Sequence, residues 1–178
     1  LGVSEDNQIQ IPGSGTNYEI FWEEIGAPDN NGLETAIGTH TLTFPKKGIY
    51  KVSISGGTPA FNQIKFGFAT DKDLNFKSDN EKIISIEQWG TIEWSSFDYA
   101  FTSCKNLEVN ATDIPDLKNV TNMMYMFFQC ENFNQDISNW NVSNVTNMSS
   151  LFNQCLTFNQ DISNWDVSNI TSFDSMFY

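Results

Sequence analysis

Residues 126–150 read MFFQCENFNQDISNWNVSNVTNMSS and residues 151–175 read LFNQCLTFNQDISNWDVSNITSFDS, a near-continuous match over 25 positions. A tandem repeat this short limits the chain severely. One unit buries too little apolar surface to offset the entropy of ordering it, so it must stack on its own copies. Met176, Phe177 and Tyr178 open another copy, so a longer parent protein with further repeats is expected.

Earlier copies are degenerate but keep register. Phe101, Phe127, Phe152 and Phe177 are spaced by 26, 25 and 25 residues, and Cys104, Cys130 and Cys155 keep the same step. Trp89, Trp140 and Trp165 each precede one of these phenylalanines by 12 residues, with Ile86, Ile137 and Ile162 three positions before the Trp. The pattern therefore begins near Ile83. Within a period, Val145, Met148 and Phe152 recur at i, i+3 and i+7, as do Val120, Met123 and Phe127, which predicts a short helical segment with Ser143 or Asn144 as N-cap. Asp136–Trp140 is too short for a helix and reads as a strand. One strand and one helical turn per 20–29 residues is the leucine-rich-repeat plan.

The fold class expected is thus β-rich with short helices: a leucine-rich-repeat-like solenoid over residues 83–178, capped by a small N-terminal β-sandwich-like region over 1–60, with connecting strands over 61–82. In that first region Gln8–Ile11, Asn17–Glu24, Thr39–Phe44 and Gly48–Ser55 have strand character. The Gly/Asn/Asp-rich stretch Ala27–Gly32 reads as a loop and Pro45–Gly48 as a turn. Phe61–Ala69 and Lys82–Gln88 are further strand candidates.

Composition narrows function. Only 17 % of residues are charged, yet the formal net charge is −13 and no arginine is present. Such a chain repels nucleic-acid phosphate and anionic membrane surfaces, so neither is an expected partner. No run of about 18 apolar residues is present, so no direct membrane insertion is expected.

The candidate chemistry is thin. His40 is the single histidine, with no second ligand nearby, so neither a metal nor a triad is expected. The three cysteines, one per period, match no zinc spacing and read as buried free thiols; an inter-coil disulfide is the alternative. Asp71-Lys-Asp73 is too sparse for calcium. The sequons starting at Asn110, Asn119, Asn141, Asn144, Asn147 and Asn169 recur with the repeat, so turn and stacking bonds explain them better than glycosylation. Trp22 and Trp94 read as core. What remains is a periodic polar column, Gln135, Asp136, Ser138 and Asn139 with its copy Gln160, Asp161, Ser163 and Asn164, expected to face solvent as a binding surface.

The phrase FNQDISNWNVSNVTNMSSLF resembles the 26-residue repeat of bacterial surface proteins, a BspA-like branch of the leucine-rich repeats found in mycoplasma surface lipoproteins. IISIEQWGTIEWSSFDYAFTSCKNL is similar to the family's entry segment, and THTLTFPKKGIYKVSISG to the end of a PKD-like β-domain, where a His such as His40 packs and hydrogen-bonds. Pro115 departs from the pattern at a Trp position, which affects the strand register of that coil. The resemblance implies an extracellular or bacterial cell-surface module without catalytic activity or cofactor, which binds an extracellular protein or glycan. The alternatives are a structural spacer and an accessory domain of a larger secreted protein with no ligand of its own.

Overall fold

A computed structural model describes residues 4–58, 60–67 and 78–178. The strands are β1 Gln8–Ile11, β2 Gly13–Ser14, β3 Thr16–Glu24, β4 Ala27–Ile37, β5 His40–Thr43, β6 Tyr50–Gly56, β7 Gln63–Ile64, β8 Ser85–Ile86 and β9 Glu108–Val109. They form small separate sheets: β1 with β5, β2 with β7, the three-stranded order β4-β3-β6, and the parallel pair β8 with β9. The sole helical element among the described residues is a 3₁₀ turn at Asn80–Lys82.

The amino-terminal strands follow from alternation. In β3, Tyr18, Ile20 and Trp22 point inward and are buried, whereas Glu19 and Phe21 point outward, as the two-residue period of a strand requires. Ile9, Ile11, Leu42 and Phe44 of the β1–β5 ribbon are buried in the same core. Trp22 meets Phe44 edge-on, with ring centroids 5.5 Å apart, and Tyr50 stacks on Phe44 at 4.0 Å. The stretch Ala27–Gly32, expected as a loop, lies in β4. It pairs with β3 because Gly32 lets the Trp22 ring lie against the backbone: a Cβ there would sit 2.6 Å from the indole.

A buried ion pair ties this region to the repeats. The Asp79 carboxylate accepts hydrogen bonds from the Ser4 amide (3.3 Å), the Ser4 hydroxyl (2.5 Å) and the Gln10 amide (2.6 Å). Lys82 Nζ lies 3.2 Å from Asp79 and donates to the carbonyls of Ser4, Glu5 and Gln8.

The repeat region corrects the expected architecture. The leucine-rich-repeat-like solenoid with short helices is not what the chain builds. Among the described residues there is no α-helix, and from residue 83 onward the only named strands are β8 and β9. Both predicted elements of the period are turns. The helical segment fails because Tyr99, Tyr125, Ser150 and Ser175 sit one period apart at φ of 56°, 56°, 54° and 52°, left-handed backbone that ends a right-handed helix. A second column of left-handed residues follows at Ser103, Gln129 and Gln154. With the chain bent twice per period, amides alternate in direction. Met126 and Cys130 bond three residues back, to Met123 and Phe127, while Tyr125, Phe127 and Gln129 donate to Ser149, Leu151 and Asn153 of the next repeat. Three-residue turns place apolar side chains on one side at helix-like spacing, which is why periodicity predicted a helix.

The strand at Asp136–Trp140 fails for a local reason. Asp136 Oδ1 accepts the Ser138 amide at 2.9 Å, closing an Asx turn in place of an extended segment. Pairing between these repeats is limited to the isolated parallel bridges Asn122–Asn147 and Asn147–Ser172.

The interior is aromatic and periodic. Phe101, Phe127, Phe152 and Phe177 stack in one column with successive centroids 6.0, 6.0 and 5.6 Å apart. Phe133 and Phe158 form a parallel column at 5.8 Å. Trp89, Trp94, Trp140 and Trp165 are all buried.

Candidate functional site

The repeat places the polar column of residues 135–139 and 160–164 on turns. Asp136, Asn139, Asp161, Ser163 and Asn164 are exposed, whereas Gln135, Ser138 and Gln160 are half-buried. The two aspartates have identical settings: Asp161 Oδ1 accepts the Ser163 amide at 2.9 Å, as Asp136 does with Ser138. These backbone bonds hold both carboxyls below the usual carboxylate range, and the neighbouring Asp161 charge works weakly against this at Asp136. Asp166 repeats the device with the Ser168 amide at 3.0 Å, and its carboxyl is lowered by the Ser168 side chain first and that amide second. Each of these carboxylates is ionised at neutral pH and is engaged by both the amide and the side chain of the serine two residues on. All three side chains are exposed.

Gln160 acts differently from its neighbours. Its Nε2 donates to the Asn134 carbonyl at 2.9 Å and to Asn134 Oδ1 at 3.1 Å, so it joins repeats. The sequon asparagines are engaged in the same way: Asn144 Nδ2 donates to the Lys118 carbonyl at 2.9 Å, and Asn169 Nδ2 to that of Ser143 at 2.8 Å. Asn141 and Asn147 accept the amides of Ser143 and Ser149. Structural bonding thus accounts for these four side chains.

The cysteines are free thiols, buried at Cys104 and Cys130 and half-buried at Cys155. Cys130 Sγ donates to the Phe101 carbonyl at 3.1 Å and Cys155 Sγ to that of Phe127 at 2.8 Å. Burial pushes the Cys104 and Cys130 thiols far up and that of Cys155 up to about 12, so none is a nucleophile at neutral pH. His40 Nε2 lies 2.7 Å from Glu34 Oε2, a local strand-to-strand pair. Among the described residues no cluster of three or more His, Cys, Asp or Glu could hold a metal ion. Asp71-Lys-Asp73 lies outside the described residues. Trp22 and Trp94 are buried. Among the described residues no helix is long and apolar enough to cross a membrane.

Sequence reasoning passed over a second lateral column. Ser103 Oγ donates to Gln129 Oε1 at 2.9 Å and Gln129 Nε2 to Gln154 Oε1 at 3.0 Å, beside the Tyr99–Tyr125 pair stacked at 4.8 Å. The 25-residue step from Gln129 to Gln154 was the available signal.

A family model described as Mycoplasma protein of unknown function, DUF285, matches residues 70–178. Comparison with curated proteins and with solved structures gives no match.

Proposed function

The chain belongs to the DUF285 family of mycoplasma proteins, and from the exposed polar turns of its repeats we propose that it is a non-catalytic module of the bacterial cell surface, which binds an extracellular protein or glycan through those turns. The observation that carries the proposal is the periodic exposure of Asp136, Asn139, Asp161 and Asn164. Ionised carboxylates and amides recur there one period apart on a surface held by Asx turns. A rigid, repeated row of acceptors and donors suits a partner that is itself repetitive, such as a glycan chain or a lysine-bearing protein surface. The likeness of FNQDISNWNVSNVTNMSSLF to the repeats of BspA-like surface proteins supports placement outside the cell.

The test is attachment of the purified chain to host cells and to a glycan array, with the double variant Asp136→Asn and Asp161→Asn beside the parent. Asparagine retains the turn-closing oxygen and removes the charge. Attachment reduced at least fivefold with unchanged thermal stability supports the proposal, and unchanged attachment removes this face from it.

A structural spacer is the second reading. It is favoured by one specific observation: Gln160, Asn144 and Asn169 spend their donors on neighbouring repeats and keep few for a ligand. Absence of any hit on cells or array supports that reading.

A further inference from the structure

Two aromatic rings in the middle of the repeat stack lie on its flank, outside the shared interior. Tyr125 stacks on Tyr99 with centroids 4.8 Å apart and planes within 11° of parallel, and Phe128 meets Tyr125 edge-on at 5.2 Å. Met123, Met126 and Phe127, on the same turns, are fully buried. Tyr125 and Phe128 are half-buried and stand apart from the core that those neighbours build.

The repeat does not require rings at these positions. One period on, their counterparts are Ser150 and Asn153, and the same turn forms: Phe128 N donates to the Tyr125 carbonyl at 3.3 Å, and Asn153 N to that of Ser150 at 3.3 Å. Tyr125 also holds φ at 56°, a region that bulky side chains seldom occupy. A large, half-exposed ring at a strained position where serine suffices points to a use other than packing.

Polar groups are fixed beside the rings. Thr102 Oγ1 donates to the Tyr125 carbonyl at 2.7 Å and the Tyr125 amide donates to Ser149, so both neighbouring repeats hold this turn. Gln129 Oε1 accepts from Ser103 at 2.9 Å and Gln129 Nε2 donates to Gln154 at 3.0 Å, which orients the Gln129 amide. Among the described residues, its second N–H and the Tyr125 hydroxyl have no partner. Lys65 Nζ lies over the Tyr99 ring, 5.1 Å from its centroid, but is neutralised by Asp98 at 2.5 Å. It therefore offers no spare positive charge to an anion, and the net charge of −13 repels one.

We propose that Tyr125, Phe128 and Gln129 form a binding site for a neutral pyranose unit of a glycan. A pyranose has a face of C–H groups and a rim of hydroxyls. The C–H face packs on an aromatic ring, while rim oxygens accept the spare Gln129 N–H and rim hydroxyls bond the Tyr125 hydroxyl. A proline-rich segment also seeks aromatic surfaces, but it lies in a groove between rings, and Tyr99 and Tyr125 are stacked with no slot between them. The site stands on other turns than those of Asp136 and Asp161, so either can fail alone.

The experiment screens the full chain on an array of neutral oligosaccharides built from glucose, galactose, mannose and N-acetylglucosamine, and follows any hit by calorimetric titration. A heparin fragment and a proline-rich peptide are the contrasts. The variants are Tyr125→Ser and Phe128→Asn, which install what the next repeat carries at the same positions and so spare the fold. Asp136→Asn with Asp161→Asn is the control. Binding of a neutral glycan that falls at least tenfold in either ring variant, with thermal unfolding unchanged and the aspartate control unaffected, supports the proposal. Absent binding of every neutral glycan, binding indifferent to both ring variants, or binding confined to the heparin fragment or the peptide overturns it. Binding lowered by the aspartate control alone also overturns it, while sustaining the role of the polar turns.

Discussion

Phe127 and Phe152, 25 positions apart in sequence, stack face to face with centroids 6.0 Å apart and planes within 7° of parallel. The contact repeats along the chain, and it converts sequence periodicity into a shared interior. Each ring fills space that its own repeat leaves empty.

Phe127 is fully buried between Phe101 and Phe152. Phe127→Ala is expected to destabilise the chain by about 3–5 kcal/mol, read from denaturant unfolding, because lost burial and an internal cavity add. Phe127→Leu should lose clearly less. Equal losses for the two variants would mean that the column does not depend on ring volume.

The Asp79 pair predicts acid sensitivity. Burial alone would raise this carboxyl, but hydrogen bonds from Ser4, the Gln10 amide and Lys82 outweigh burial and hold it below its ordinary value. A carboxyl lowered in the folded state contributes stability that is present above the unfolded value of about 3.9 and is lost as pH falls through the folded value. Asp79→Asn should cost about 1–3 kcal/mol at pH 7, and the difference from the parent should shrink as pH falls below 4. A difference that is constant down to pH 2 would show that ionisation is not what matters there.

The raised thiols predict inertness. At pH 8 an aromatic disulfide reagent should leave Cys104, Cys130 and Cys155 unmodified for hours in the native chain and titrate all three at once in denaturant. Rapid native labelling of Cys104 or Cys130 would show that the repeats open.

Left-handed backbone at Ser150 predicts an inverted substitution order. Ser150→Gly should be neutral or stabilising by up to about 1 kcal/mol, because glycine occupies positive φ without a Cβ clash. Ser150→Val should destabilise by about 1–3 kcal/mol, since a β-branched residue resists that conformation. Thermal unfolding of the pair distinguishes this from a preference for side-chain volume, which would reverse the order.

Several features could be read directly. β1 falls at Gln8–Ile11 as alternation indicated, and β3 at Thr16–Glu24 differs by one residue from its expectation. The spacing of Phe101, Phe127, Phe152 and Phe177 announced their column. The helical segments were misread because i, i+3, i+7 spacing is shared by an α-helix and by successive three-residue turns, and Tyr125 or Ser150 carries no sign of positive φ. The lengths expected for Phe61–Ala69 and Lys82–Gln88 shrank to β7 at Gln63–Ile64 and β8 at Ser85–Ile86; residues 68 and 69 lie outside the described residues. At the candidate site, exposure of Asp136 and Asp161 was legible, but the use of Gln160 to bridge repeats was not. That depends on where Asn134 lies one period earlier.

By itself the sequence determined which residues are equivalent, since equivalence is a matter of spacing, and which of them are apolar enough to need cover. Only the tertiary structure decided the direction of the backbone. An amide can bond three residues back or across to the next repeat at similar energy, and the left-handed turns at Tyr99, Tyr125, Ser150 and Ser175 turn alternate amides outward, where the neighbouring repeat supplies the carbonyl. That choice replaces helices with stacked turns, because a bond between repeats forms only when the neighbour is already in place.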